Sequence, residues 1–497
     1  MARSLILASC LLAPVAAAVP ADEITSLPGW KGPLPSRMWS GHIDGGSDVQ
    51  DGVSYTMKMW YMYVECEACA DPATAPTLLW SNGGPGASSA YGLFPELGPF
   101  TLSDQSMKTS PPTLFRNPYS WSRLANILIL NGPAPVGSSY CLPAGPAGDG
   151  RSCGSWNDTR TNEHNVQFLL NWYKAFPERA GAELIIAGES YAGVYTSMLT
   201  QSLLDLKAPV KLRGLMLGDA CLGTDVLCGG GNPEKGPWLS LLFTAGQGCV
   251  SLPTFEAVLA ACPMQILRYG PMDNAPPDCQ AAVSRAESEC PGNAYYGYNY
   301  LDQCPVFNFD AGARGAADPP VPLEPSGYPC GGDQALAAWI TLPETKAALH
   351  VDPTSNYWSF DNGEGFVYSA CRIRAMPPPP PRARQQGPPY LKEHPTSPPS
   401  PPDVTWPTGL PLMRRLQTGA DGVDVLVYNG ETDPSVSSVK SQRWTFELGF
   451  PEKEAWRPWT FGGNSSDIVA GSIVQWTGGF SHATIRGSGH MVPVRPK

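Results

Sequence analysis

An α/β fold, with a mostly parallel central sheet and helices on both faces, is what this 497-residue chain predicts. Two observations lead there. Five apolar runs, residues 77–80, 127–130, 184–187, 212–217 and 423–428, have the length and composition of buried strands, and residues 483–485 make a shorter sixth. Helical patterns lie between them, the alternation that builds a parallel sheet. Each run also opens into a loop rich in Gly, Asn or Asp. Three of those loops carry short motifs: Gly188-Glu189-Ser190-Tyr191-Ala192-Gly193, Asn429-Gly430-Glu431-Thr432-Asp433 and Gly487-Ser488-Gly489-His490. The carboxyl ends of parallel strands are where such sheets place their chemistry.

Taken in order, the chain opens with Arg3, an apolar run over residues 5–15 and the small residues Ala16-Ala17-Ala18. That pattern predicts a secretory signal over residues 1–18. The run is short for a membrane span, and no later segment is long enough for one. Residues 19–218 hold the first part of the core. Within them Val166, Leu169, Leu170, Tyr173 and Phe176 share one helical face, and Pro177 stops that helix. A second helix is expected over residues 194–206. Residues 219–332 break the alternation: eight of the 14 cysteines fall there among many Gly and Pro. This segment is expected to be a disulfide-rich cap insertion over the strand ends. Residues 333–375 return to the core, with a helical pattern over 335–350. Residues 376–402 hold two proline clusters, which can join neither sheet nor helix and predict an exposed flexible loop. Residues 403–497 complete the core.

The net charge is −11 and no Lys/Arg run stands out, which argues against a nucleic-acid partner. Loss of Cys10 with the signal leaves thirteen cysteines, a number that suits an oxidising compartment and implies at least one free or intermolecular thiol. Cys66 and Cys69 form a CxxC, expected to serve disulfides rather than a metal. Asn157 and Asn464 begin glycosylation sequons.

The three motifs run in the order Ser, Asp, His. That is the order by which an α/β-hydrolase fold builds a nucleophile, an orienting acid and a base. A serine hydroxyl attacks only when a base takes its proton, and imidazole does so when an acid holds the right tautomer. Ser190 sits in a strand-to-helix turn lined by Gly188 and Gly193, although Ala192 breaks the strict G-x-S-x-G spacing. His490 is one of six histidines. His164 is expected to start a helix, His350 to end one, His394 to lie in the proline loop, and His482 to precede the last strand. Asp433 is preferred over Glu431 as the acid. In Asn82-Gly83-Gly84-Pro85-Gly86, paired glycines expose backbone N–H groups of the kind an oxyanion hole needs.

Together with Leu79–Ser89, these segments make the chain resemble the serine carboxypeptidase family. So do Phe94-Pro95-Glu96-Leu97-Gly98-Pro99, Tyr428-Asn429-Gly430-Glu431-Thr432-Asp433 and the run from Ala483 to Pro493, while Trp456-Arg457-Pro458-Trp459 is similar to the plant-type branch. The resemblance runs from about Trp39 to the end, apart from the cap and the proline loop. It implies release of C-terminal residues from peptides at acidic pH, without metal or cofactor. Ser190 would be the nucleophile, His490 the base and Asp433 its orienter. Backbone N–H groups of Gly84 and Tyr191 would form the oxyanion hole. Asn82, Gly83 and Glu189 would bind the substrate's terminal carboxylate, with Glu96 behind Glu189 and Trp80 closing the network. Two close carboxyls tend to share a proton, so substrate binding is expected to weaken as pH rises.

Three departures from the family pattern stand out. Ala87 replaces a cysteine, so one common disulfide is absent or rerouted. The loop Asn131-Gly132-Pro133-Ala134-Pro135-Val136-Gly137-Ser138-Ser139-Tyr140 lacks the family's acid, one Gly and an aromatic residue, which bears on substrate preference. Family members usually continue into a further helix, whereas this sequence stops at Lys497, a few residues after His490; either it is truncated or that last element is missing, and His490 would then be less rigidly held. The expected partners are peptides with a free C-terminus, with homodimerisation left open, in a secreted or lysosome/vacuole-like acidic setting. Two other readings compete: an acyltransferase using the same triad, and an inactive binding or chaperone-like relative.

Overall fold

The computed structural model describes residues 19–143, 153–222, 236–290, 298–301, 332–353, 355, 368–369, 409–462 and 468–494. The signal segment, the proline-rich loop and Asn464 lie outside the described residues. A 12-stranded sheet organises the rest. Its strands are β1 (Glu23–Ile24), β2 (Met38–Gln50), β3 (Val53–Val64), β4 (Thr77–Ser81), β5 (Asn126–Leu130) and β6 (Tyr140–Leu142). They continue with β7 (Glu183–Glu189), β8 (Lys211–Gly218), β9 (Asp424–Gly430), β10 (Glu452–Thr460), β11 (Val469–Trp476) and β12 (Phe480–Ile485). The spatial order is β1-β2-β3-β5-β4-β7-β8-β9-β12-β11-β10, with β6 beside β3. From β5 to β12 the six neighbours are all parallel, and antiparallel strands flank them on both sides. This is the α/β-hydrolase arrangement expected from the motif order.

Alternation along the parallel strands divides the interior into two cores. Leu128 and Leu130 face one core, which also holds Trp172 of α1 (Asp158–Ala175), Leu199 of α2 (Ala192–Asp205) and Trp444. Ile127 and Ile129 face the other, with Phe94 and Trp339. Trp172 is fully buried and stacks on Phe176 at 4.8 Å between ring centres. Burying side chains of this size contributes about 1.5–3 kcal/mol each.

Helix α1 begins eight residues before its apolar stripe. Its first two turns are held by polar contacts rather than by apolar burial. Asn157 caps it by accepting from Arg160 N at 2.9 Å, and Asp158 follows at the positive end of the helix dipole. His164 therefore lies inside α1, where its Nδ1 meets Gly45 O at 2.7 Å. The glycosylation candidate Asn157 is half-buried and serves as this cap.

Within the expected cap segment, residues 236–290 form four helices, α3 (Trp238–Gly246), α4 (Leu252–Ala261), α5 (Met264–Tyr269) and α6 (Pro277–Glu289). They have an apolar centre of their own around Leu241, Val258, Leu267 and Val283. Disulfides Cys249–Cys290 and Cys262–Cys279 close it. Cys66 bonds to Cys69, and Cys141 to Cys153. The helical pattern over 335–350 is two helices, α7 (Gly332–Ile340) and α8 (Pro343–Ala348), because Pro343 cannot continue the first. His482 lies within β12 rather than before it. The long β2–β3 hairpin was not anticipated.

Candidate active site

Register brings the three motif loops to one edge. Glu189 pairs with Gly218, Gly218 with Tyr428, and Gly430 with Ile485. Ser190, the residue between β7 and α2, has φ of 60°, a left-handed conformation that costs a non-glycine residue about 1–2 kcal/mol. Neighbours hold it there. Its N–H donates to Gly218 O at 3.1 Å, and its carbonyl accepts from Gly193 N and Cys221 N, both at 2.9 Å. Ser190 is half-buried, so its side chain stays at the margin of solvent.

Gly83 is pressed against this turn. A Cβ there would lie 2.3 Å from Tyr191 N and 2.9 Å from Ser190 Cβ. Only a glycine lets the Asn82-Gly83-Gly84 backbone approach the N–H of Tyr191 so closely.

His490 and Asp433 are buried and directly bonded, with Nδ1 2.7 Å from Asp433 Oδ2. Asp433 also accepts from Ser435 N at 2.7 Å, Ser435 Oγ at 2.9 Å and Val436 N at 3.1 Å. Burial works against its charge, but the neighbouring His490 and these donors outweigh it, and its carboxyl sits below the usual range. An ionised Asp433 fixes the proton on Nδ1 and leaves Nε2 able to act as a base. Tyr298, in the expected cap segment, lies against His490 from the other side. The His490 N–H donates to Tyr298 O at 2.6 Å, and its ring stacks on that of Tyr298 at 4.8 Å. The imidazole is thus packed between Asp433 and Tyr298.

The acidic pair lies on the other flank of Ser190. Asn82 Nδ2 reaches Glu96 Oε1 at 3.4 Å and Glu189 Oε1 at 3.5 Å, both carboxyls buried. Trp80 Nε1 and Gly92 N donate to Asn82 Oδ1 at 2.8 and 3.1 Å, which fixes the amide so that its NH2 faces the acids. Among the described residues the Oε2 atoms of Glu96 and Glu189 have no N–H or hydroxyl donor. Burial raises Glu96 to about 7, and burial followed by the charge of Glu96 raises Glu189 well above the carboxylate range. Two such groups in contact hold a proton at acidic pH.

The altered loop after β5 is buried and supports this pair. Asn131 Oδ1 accepts from Ser88 Oγ at 2.7 Å and Ser89 N at 2.9 Å, and Ser89 Oγ accepts from Asn82 N at 3.0 Å.

Comparison with known proteins follows from this geometry. The serine carboxypeptidase family profile matches residues 28–377 and 409–497. The chain belongs to the serine carboxypeptidase family. Serine carboxypeptidase-like 20 of Arabidopsis thaliana is 26% identical over 516 residues, covering 95% of this chain and 89% of that protein. Serine carboxypeptidase 1 of Hordeum vulgare is 27% identical over 520 residues, with the same coverage of 95% and 89%. The crystal structure of Kex1(delta)p, a prohormone-processing carboxypeptidase from Saccharomyces cerevisiae, superposes with a TM-score of 0.64 at 18% identity, covering 97% of this chain and 94% of that one. This family member is a serine hydrolase with the α/β-hydrolase fold. Among its described residues no helix is long and apolar enough to cross a membrane.

Several residues of this serine carboxypeptidase-family site escaped the sequence reading. Ser435 shares Asp433 with His490, and Tyr298 stacks on the imidazole. Asp219, fully buried, accepts from Asn429 Nδ2 at 2.9 Å and Gly430 N at 3.1 Å. Asp219, Asp433 and His490 bring metal-ligand-type atoms within 4.8 Å of one another, but hydrogen bonds to Asn429, Gly430, Ser435 and Val436 already engage the carboxylates. Position alone could have flagged Asp219, since it follows the strand run 212–217 as Ser190 follows its own.

Proposed function

We propose that this family member is a serine carboxypeptidase that releases C-terminal residues from peptides at acidic pH through an acyl-enzyme on Ser190. His490 Nε2 takes the hydroxyl proton as Ser190 Oγ attacks the last peptide carbonyl, and Asp433 steadies the imidazolium. Backbone N–H groups of Gly84 and Tyr191 receive the developing oxyanion. His490 returns its proton to the leaving amino acid. Water then attacks the ester, with His490 as base again.

Substrate selection lies with Asn82, Gly83 and Glu189, backed by Glu96 and Trp80. A protonated carboxyl donates to the substrate's terminal carboxylate, whereas an ionised one repels it. The observation that carries this reading is the buried Glu96–Glu189 pair gathered by Asn82, immediately before the nucleophile. A hydrolase without interest in a free carboxylate has no use for buried acids there. The acceptor is water in this reading. An acyltransferase would instead pass the acyl group to an added alcohol. The four described disulfides support passage through an oxidising, secretory compartment.

The test is the pH profile of kcat/KM on an N-blocked dipeptide, wild type against Glu189→Gln. Gln keeps a neutral donor at every pH, so the alkaline limb moves upward in the variant. An alkaline limb identical to wild type contradicts the proposed carboxylate recognition.

A further inference from the structure

We propose that Asp219 is a positioning residue for the reaction: protonated, it donates a hydrogen bond to Asp433 and so sets how strongly Asp433 holds His490 in its proton-bearing form. The inference rests on the reading of Ser190, His490 and Asp433 as a working triad.

Geometry carries it. Asp219 stands just past β8, next to the pairing partner of the strand that carries Ser190, with φ of 39°. Left-handed backbone at an aspartate persists where its surroundings over-determine it. Here they do. Its N–H donates to Tyr428 O at 2.9 Å, and its two oxygens accept from Asn429 Nδ2 and Gly430 N. A carboxyl oxygen of Asp433 lies within 4.8 Å of one of Asp219, and both side chains are fully buried. Two buried carboxyls this close do not both carry charge, so one holds the proton. Asp433 faces His490 and three further donors, Ser435 N, Ser435 Oγ and Val436 N, which favour its anion. The proton therefore belongs to Asp219. Burial, and then the charge of Asp433, act in that direction and outweigh the donors Gly430 and Asn429.

The arrangement extends outward. His482, fully buried in β12 and kept neutral as burial lowers it to about 3, places Nε2 3.1 Å from Asn429 Oδ1. Asn429 Nδ2 donates to Val436 O at 3.2 Å as well as to Asp219. Only the Nε2–H tautomer of His482 fits, and it locks the amide with its NH2 toward Asp219. Hydrogen bonds thus link His482 to Asn429 and Asn429 to Asp219, and the proposed bond from Asp219 carries the line on to Asp433 and His490. The other titratable groups facing Asp219 are Glu189 on β7 and Tyr428 on β9, both fully or nearly fully buried.

The consequence suits acid operation. A carboxylate that already accepts from Asp219 has less charge to offer an imidazolium. Loss of the donor reverses this.

The experiment measures the rate of Ser190 inactivation by a neutral organophosphonate fluoride across pH, in the full chain. The probe has no terminal carboxylate, so the Glu96–Glu189 pair does not enter the profile. Asp219→Ala is expected to move the acid limb upward by about half a pH unit or more. Asp219→Asn, which keeps a neutral donor facing Asp433, holds the limb at wild type. Asn429→Ala, which leaves Asp219 present but unoriented, moves the limb the same way by less, and decides the matter where Asp219→Ala does not fold. A limb unmoved in the folded variants, or Asp219→Asn shifting as far as Asp219→Ala, overturns the proposal. A purely structural role lowers the rate at all pH values without moving the limb. Absence of any Ser190 labelling in wild type refutes the triad itself, a separate outcome.

Discussion

Gly83 leaves no room for a side chain between the Asn82 loop and the Ser190 turn. A methyl group there would meet the Tyr191 nitrogen at 2.3 Å, so either the Asn82 loop or the nucleophile turn must move. Both carry groups assigned to the oxyanion and the substrate carboxylate. Gly83→Ala is expected to lower kcat/KM by about 100-fold or more, the scale of losing an oxyanion donor. Steady-state kinetics on a blocked dipeptide checks this, and an activity within a few-fold of wild type contradicts the close approach. At this scale the sequence was legible wherever a motif follows a strand-like run. Ser190, Asp433, His490, Asn82 and Glu189 are proposed on that basis. Ser435 and Tyr298 are not, because nothing local marks a serine two residues past an acid or a tyrosine in a cap. Their roles exist only once distant loops meet at His490.

The elements show the same division. Periodicity located the buried parallel strands and the apolar half of α1, since burial on a sheet enforces those patterns. It missed the β2–β3 hairpin, although Asp51-Gly52, with φ of 50° and 80°, is the turn signature between two long strands. It missed β10 and β11 too, where exposed positions and Pro458 at the sheet edge blur alternation. Residues 219–332, the expected cap, stand out in the sequence by their cysteines rather than by their helices. Those bridges are expected to hold it. The Cys262–Cys279 disulfide closes a 17-residue separation, and its removal costs about 3 kcal/mol in the chain-entropy picture. In Cys262→Ser/Cys279→Ser, amide exchange should quicken in α4 and α6 while the parallel strands stay protected. Uniform exchange across both regions contradicts a cap that opens by itself.

Across the whole molecule, buried acids tie stability to pH. Glu96 is raised from an ordinary 4.5 to about 7 by burial, so folding favours its protonated form. Its contribution is fully present below pH 4.5 and is lost as pH rises through 7, by about 3 kcal/mol at most. Glu96→Gln removes that titration. Its unfolding free energy should fall less than that of wild type between about pH 4.5 and 7.5, measured in denaturant at each pH. Equal slopes for the two proteins contradict a shared proton in the Glu96–Glu189 pair. Asp433 acts in the opposite sense: its carboxyl is lowered, so its contribution fades in acid. The site thus needs a pH low enough to protonate one acid pair and high enough to keep Asp433 charged.

All of this depends on a serine made nucleophilic by loops far apart in the chain. The most direct measurement is digestion of a small set of N-blocked dipeptides at acidic pH, wild type beside Ser190→Ala, with free amino acid quantified by mass spectrometry. The account predicts release of the C-terminal residue by wild type and none above background by the variant. Equal release from both, or no release by a folded wild type that instead acylates an added alcohol, contradicts it.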